Sequence, residues 1–196
     1  MSASAIPSLP PSDEEVVVRT LADSACYGEL VERYEAKLTR YIRRLGVHRL
    51  EDQQDVLQDI FLKAYRNLNS FDTNLSFSSW IYRIAHNEAI SWYRKTVVRP
   101  EGNLVADSDE ILQFVQSKEV APDVAFDREI NAAEVTEALA QIDEKYRVVL
   151  ILRFFEHKEY DEISDILKIP VGSVGTLIHR GKKQLASVLN PHAIRI

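Results

Sequence analysis

Cysteine occurs once, at Cys26, so the chain can form no internal disulfide and build no cysteine-based zinc site. In its helical surroundings Cys26 reads as a small buried hydrophobe, and a reducing cytoplasmic compartment is the expectation. Long apolar runs are missing too: nothing approaches the roughly 20 residues that a bilayer span requires. The N-terminal MSASAIPSLPPSDEE has neither the basic start nor the apolar core of a secretory signal. Enzyme signatures are equally scarce, with no P-loop, no Gly-rich dinucleotide turn, no His-Glu-x-x-His and no GxSxG. The five histidines (His48, His86, His157, His179, His192) never pair at helical spacing. Asp52, Asp55 and Asp59 lack the Glu-x-x-His companions of helical di-metal sites. No catalytic residue, metal or cofactor is therefore expected.

What the chain does have is charge in blocks. The formal net charge of −6 divides into +3 over residues 25–50, +3 over 73–99 and +4 over 170–196, against −9 over 100–145. Phosphates respond to charge within a Debye length of about 8–10 Å, so an acidic total does not exclude nucleic-acid binding by the basic zones.

The most specific pattern is YDEISDILKIPVGSVGTLIHRGKKQLASVL, residues 160–189. Ile163, Ile166 and Leu167 give a short helix one apolar stripe. Lys168 to Gly172 break it, with Pro170 and Gly172 marking a turn and a new start. In the second helix Val174, Leu177, Ile178, Gly181, Leu185 and Val188 share one face, and Thr176, His179, Arg180, Lys183 and Ser187 the other. From Gly172 onward there are basic residues and no acids. This is a helix-turn-helix pattern, whose second helix buries one side and offers the other to a DNA major groove.

Taken in order, residues 1–12 form a Ser- and Pro-rich arm, expected to be disordered. A short helix from Ser12 or Asp13 to Ala22 begins acidic, as a helix dipole favours. Asp23 or Ser24 caps a long helix that ends at Gly46. The helix 50–68 buries Val56, Leu57, Ile60, Phe61, Ala64 and Leu68, while Asp55, Gln58, Asp59, Leu62 and Arg66 face outward as a partner surface. A loop follows at 69–77. Ser78 or Ser79 then caps a helix with Ile81, Ile84, Ala85, Ala89 and Trp92 inside and Arg83, Asn87, Ile90 and Arg94 outside. Phe71, Phe77, Trp80, Tyr82 and Tyr93 interleave with Arg, Lys and Asn there, the mixture single-stranded nucleic acid needs for stacking and phosphate pairing. Glu88 projects toward the buried side, without a partner legible in the sequence. Residues 98–127 read as a flexible acidic linker. A second domain over 128–190 uses Ile130, Val135, Leu139 and Ile142, then EKYRVVLILRFFE capped by Asp143, then the helix-turn-helix, with a tail at 191–196. The expected fold is all-α: two small helical domains, 13–97 and 128–190.

DVLQDIFLKAYRNLNSF, FSSWIYRIAHNEAISWYRK and EYDEISDILKIPVGSVGTLIHRGKKQL, in this order, resemble a bacterial sigma-70 factor of the compact extracytoplasmic-function group. The resemblance covers residues 13–190 and implies a promoter-specificity subunit of RNA polymerase, not an enzyme. It implies that Asp55, Gln58, Asp59, Leu62 and Arg66 dock on the clamp helices of the β′ subunit. Phe71, Asn74, Phe77, Arg83, Asn87, Arg94 and Lys95 would read and open the −10 element by trapping a flipped base. Ser173, Thr176, His179, Arg180, Lys182 and Lys183 would read the −35 element from a domain resting on the β flap. The acidic linker would thread toward the RNA exit path, and an anti-sigma factor would hold the protein inactive. Gly175 and Leu177 depart from the family's frequent basic residues and imply fewer −35 phosphate contacts. The rival readings are a stand-alone regulator using only the helix-turn-helix, which would need neither the acid-leucine face of 50–68 nor the aromatic-basic cluster of 71–95, and, more remotely, a hydrolase built on the 51–59 carboxylates.

Overall fold

The structure is a computed structural model describing residues 10–96 and 132–189; the expected linker, the outer part of the N-terminal arm and the C-terminal tail lie outside these residues. Eight α-helices and no strand make up the described residues: α1 (Asp13–Ala22), α2 (Tyr27–Arg44), α3 (Leu50–Asn67) and α4 (Phe77–Thr96), then α5 (Ala132–Ala140), α6 (Glu144–Leu150), α7 (Tyr160–Leu167) and α8 (Val171–Leu189).

The ends of the first helices follow from local chemistry. Ser12 opens α1 with a capping box: its hydroxyl accepts from the Glu15 amide at 3.1 Å and its own amide donates to the Glu15 carboxylate at 2.7 Å. Asp23 takes the Ala25 amide and starts a single 3-10 turn before α2. At the far end of α2, Gly46 adopts φ 114°, and the amides of Gly46 and Val47 return to Arg43 and Ile42, each at 3.1 Å. That pair of bonds closes the helix in the left-handed manner glycine permits. Buried Gln53 then donates to the carbonyls of Val47 and His48 at 2.8 and 3.1 Å, fixing the α2–α3 corner.

The first core is filled by Val16 and Val17 of α1, Leu30, Leu38 and Ile42 of α2, Val56, Ile60 and Ala64 of α3, and Phe77, Ile81, Ala85 and Ala89 of α4. Side chains three and four apart on each helix face inward, as their spacing predicts. Ser76, and not Ser78 or Ser79, caps α4: its hydroxyl accepts from the Ser79 amide at 3.2 Å. The extended residue is therefore Ser76, and Phe77 already lies within the helix. Glu88 has a partner across the bundle, Lys63 of α3, at 2.6 Å.

In the second group, α6 runs without a break into one π turn, Ile151–Phe155, where the Glu156 amide reaches back to Ile151 at 3.1 Å. Asp143 precedes α6 but makes no side-chain cap bond, which corrects that expectation. His157 and Lys168 take left-handed backbone and turn the chain into and out of α7. Helix α8 crosses α6 so closely at Gly181 that a β-carbon there would meet Tyr146 at 3.1 Å and Leu150 at 3.2 Å. The two groups of helices meet where α7 lies against α4.

Candidate nucleic-acid interface

Helix α8 is set by its two neighbours. Val174, Ile178, Gly181 and Leu185 are buried against α6 and α7, with Leu177 partly buried beside them. The turn between α7 and α8 is pinned by Ser164, whose hydroxyl donates to the Ile169 carbonyl at 2.6 Å. The new helix starts at Val171, so Gly172 belongs to its first turn and does not precede it.

This packing sorts the six −35 candidates. His179, Arg180 and Lys183 are exposed, on a helix that carries no acidic residue. Thr176 is half-buried and spends its hydroxyl on the Gly172 carbonyl at 3.3 Å. Lys182 lies with its ammonium 5.1 Å over the ring of Phe154, which holds it at the edge of the face. Ser173 is corrected outright: its hydroxyl is buried, with no bonding partner among the described residues, and cannot meet a phosphate from there. Leu177 and Gly175 also have structural reasons. Leu177 packs against the core, and Gly175 lies under the ring of Tyr160, whose nearest atom is 3.5 Å from where a β-carbon would be.

The −10 candidates divide more sharply. Phe71 and Phe77 are buried, at 7% and 0% exposure, in mutual edge-to-face contact and against Trp80. Rings so enclosed fill the core and cannot stack on a base, so the expectation is corrected for both. Asn74 is exposed, held by Asp72, whose carboxylate takes its amide at 3.0 Å and its side-chain nitrogen at 2.9 Å. That turn fixes the loop leading into α4. Asn87, Arg94 and Lys95 are exposed along α4. Arg83 is engaged elsewhere: its Nε donates to the Asp165 carbonyl of α7 at 2.8 Å.

Inside α4, His86 contacts the Tyr41 hydroxyl at 3.4 Å, and burial lowers its pKa to about 4. It is a neutral packing residue at physiological pH. Burial likewise pushes the Tyr41 and Tyr82 hydroxyls well above their ordinary range, with Glu156 adding to both.

On α3, Asp55, Gln58, Asp59, Leu62 and Arg66 are all exposed, with Leu62 at 42%. Tyr65, also exposed and edge-on to Tyr27 at 5.0 Å, adds an aromatic beside Leu62 that the sequence pattern missed. Its position three residues after Leu62 was the available signal. Among the described residues no three His, Cys, Asp or Glu gather as a metal site, and no helix is long and apolar enough to cross a membrane.

Comparison with known proteins gives the arrangement a family. A model of sigma-70 region 2 matches residues 30–97, and a model of sigma-70 region 4 matches residues 132–185. The ECF RNA polymerase sigma factor SigW of Bacillus subtilis is 33% identical over 174 residues, spanning 85% of this chain and 90% of that protein. RNA polymerase sigma-H factor of Pseudomonas aeruginosa is 32% identical over 187 residues, spanning 91% and 94%. In fold, the chain resembles CnrH solved with the cytosolic domain of CnrY, with a TM-score of 0.68 and 22% identity, covering 93% of this chain and 99% of that one. It also resembles RpoE from Bartonella quintana, solved with the anti-sigma factor NepR, with a TM-score of 0.60 and 19% identity, covering 85% and 98%. With regions 2 and 4 matched in order and relatives above 30% identity along most of its length, the chain belongs to the sigma-70 family, as an extracytoplasmic-function RNA polymerase sigma factor that recognises promoters and directs transcription initiation.

Proposed function

We propose that the two groups of helices divide promoter recognition between them. Helix α8 enters the major groove of the −35 element with His179, Arg180 and Lys183, and Thr176 and Lys182 flank them. Arg180 is the base reader; a guanidinium bonded twice to a guanine edge discriminates by about 1–3 kcal/mol. The observation that carries this reading is the exposed basic face of a helix that contains no acid and is braced behind by α6 and α7.

The −10 element falls to the loop before α4 and its outer face, through Asn74, Asn87, Arg94 and Lys95, with Arg83 joining when α7 leaves it. A trapped, flipped base there offsets an unstacking cost of a few kcal/mol, so the duplex opens without ATP. The α3 face with Leu62 and Tyr65 between Asp55, Asp59 and Arg66 docks on the clamp helices of the polymerase β′ subunit, and the α5–α8 domain rests on the β flap. An anti-sigma factor is the natural inhibitor, as one is bound to RpoE of Bartonella quintana.

The test is reconstitution with sigma-free core RNA polymerase on a library of genomic promoters. Discrete promoter-dependent transcripts support the reading. Initiation at the level of core enzyme alone contradicts it.

A further inference from the structure

The contact between the two groups of helices is charged and buried. Glu156, at the end of the π turn, has a side chain only 5% exposed. One of its oxygens accepts from Arg44 of α2 at 2.7 Å, the other from the Tyr82 hydroxyl of α4 at 2.7 Å. Arg44 also covers the ring of Phe155 at 4.7 Å. Next to this pair Lys158, 7% exposed, donates to the Ser78 hydroxyl at 2.5 Å and to Glu162 at 3.0 Å, with its ammonium 4.8 Å over the ring of Tyr82. Arg83 donates to the Asp165 carbonyl at the far end of the same seam. Glu156, Lys158, Glu162 and Asp165 belong to the second group; Arg44, Ser78, Tyr82 and Arg83 belong to the first.

A carboxylate and an ammonium are costly to bury unless each is paired and hydrogen-bonded. Here both are satisfied, and satisfied mostly from the opposite group. A seam of ionic and hydroxyl partners can also be released, because water and counter-ions replace those partners far better than they replace apolar contact. The closed arrangement conflicts with the function above. Elements at −10 and −35 lie about 25 base pairs apart, on the order of 85 Å at 3.4 Å per pair. Helices in direct contact cannot serve both sites at once, and Arg83 is spent on α7.

We infer that the free protein is latched: Glu156 and Lys158 clamp the −35-reading domain over α4, and polymerase must break this seam before both promoter elements can be read. This rests on the division of labour proposed above. A chain that binds core enzyme only when open shows an affinity reduced by the fraction of time it spends open, so weakening the latch tightens binding.

The test compares the full-length chain with Glu156→Arg and with the milder Glu156→Gln by small-angle X-ray scattering, with circular dichroism to verify helix content. The wild type is expected to be the most compact, Glu156→Gln intermediate and Glu156→Arg the largest by several ångströms. Affinity for core polymerase should rise in the same order, by about three- to tenfold for Glu156→Arg. Equal radii for wild type and a folded Glu156→Arg, or an expanded variant that binds polymerase no more tightly, overturns the latch. Should Glu156→Arg fail to fold, the comparison of wild type with Glu156→Gln decides. Failure of the functional reading would look different: the wild type would then support no promoter-dependent transcription whatever its radius.

Discussion

Helices α4 and α8 are of similar length, and each presents basic residues beside a buried stripe, yet they are packed differently. Helix α8 has neighbours on one side only, so its buried and exposed faces separate cleanly at Val174, Ile178, Gly181 and Leu185. Helix α4 is covered twice: by α2 and α3 through Ile81, Ala85 and Ala89, and by α7 through Ser78, Tyr82 and Arg83. The second cover is polar. A helix that contacts a groove permanently available to DNA can be apolar behind and basic in front, whereas one that must also be covered and released needs a side of hydroxyls and charges.

The largest effect expected from breaking this comparison concerns Phe77. If its ring belongs to the core of the first group, Phe77→Ala should cost about 3–5 kcal/mol of stability in denaturant unfolding. A stability change within about 0.5 kcal/mol would return Phe77 to the nucleic-acid surface. His86 offers a pH test on the same helix. Its pKa is lowered to about 4 in the fold, against an ordinary value of 6.5, so the unfolded chain binds the proton first as pH falls. Stability should therefore drop as pH falls from 6.5 toward 4, by at most about 1.4 kcal/mol per unit from this group. His86→Phe should flatten that part of the profile, and an unchanged slope would show His86 to be accessible to protons. On α8, Arg180→Ala should weaken −35 discrimination by about 1–3 kcal/mol, read as the ratio of transcripts from intact and substituted −35 elements. The smallest effect is expected at Lys63, which is half exposed: Lys63→Ala should lose no more than about 1 kcal/mol in unfolding, despite its ion pair with Glu88.

The same contrast explains what could be read from the sequence. Helix α8, the stop at Gly46, the start at Ser12 and the outward set on α3 were legible, because each rests on contacts within one helix or one apolar face. Glu88 was not: its partner Lys63 comes from another helix, and no spacing rule links residues 25 apart. Phe71 and Phe77 looked like stacking residues because aromatics near basic residues suit both a core and a base; only burial separates the two uses. Glu156 and Lys158 read as ordinary turn charges, since their partners lie on the other side of the linker in sequence. Gly181 was placed on the buried face correctly, but the near approach of Tyr146 that requires a glycine there depends on a crossing that no local pattern encodes.

The central claim is that α8 places the polymerase on duplex DNA while α4 opens it. Transcription from one promoter, supplied either as full duplex or with its −10 region already unpaired, tests this most directly. Asn87→Ala should initiate poorly on the duplex and recover most of its activity on the unpaired template, while Arg180→Ala should remain impaired on both. Equal recovery of the two variants, or of neither, would contradict the division of labour between the two helices.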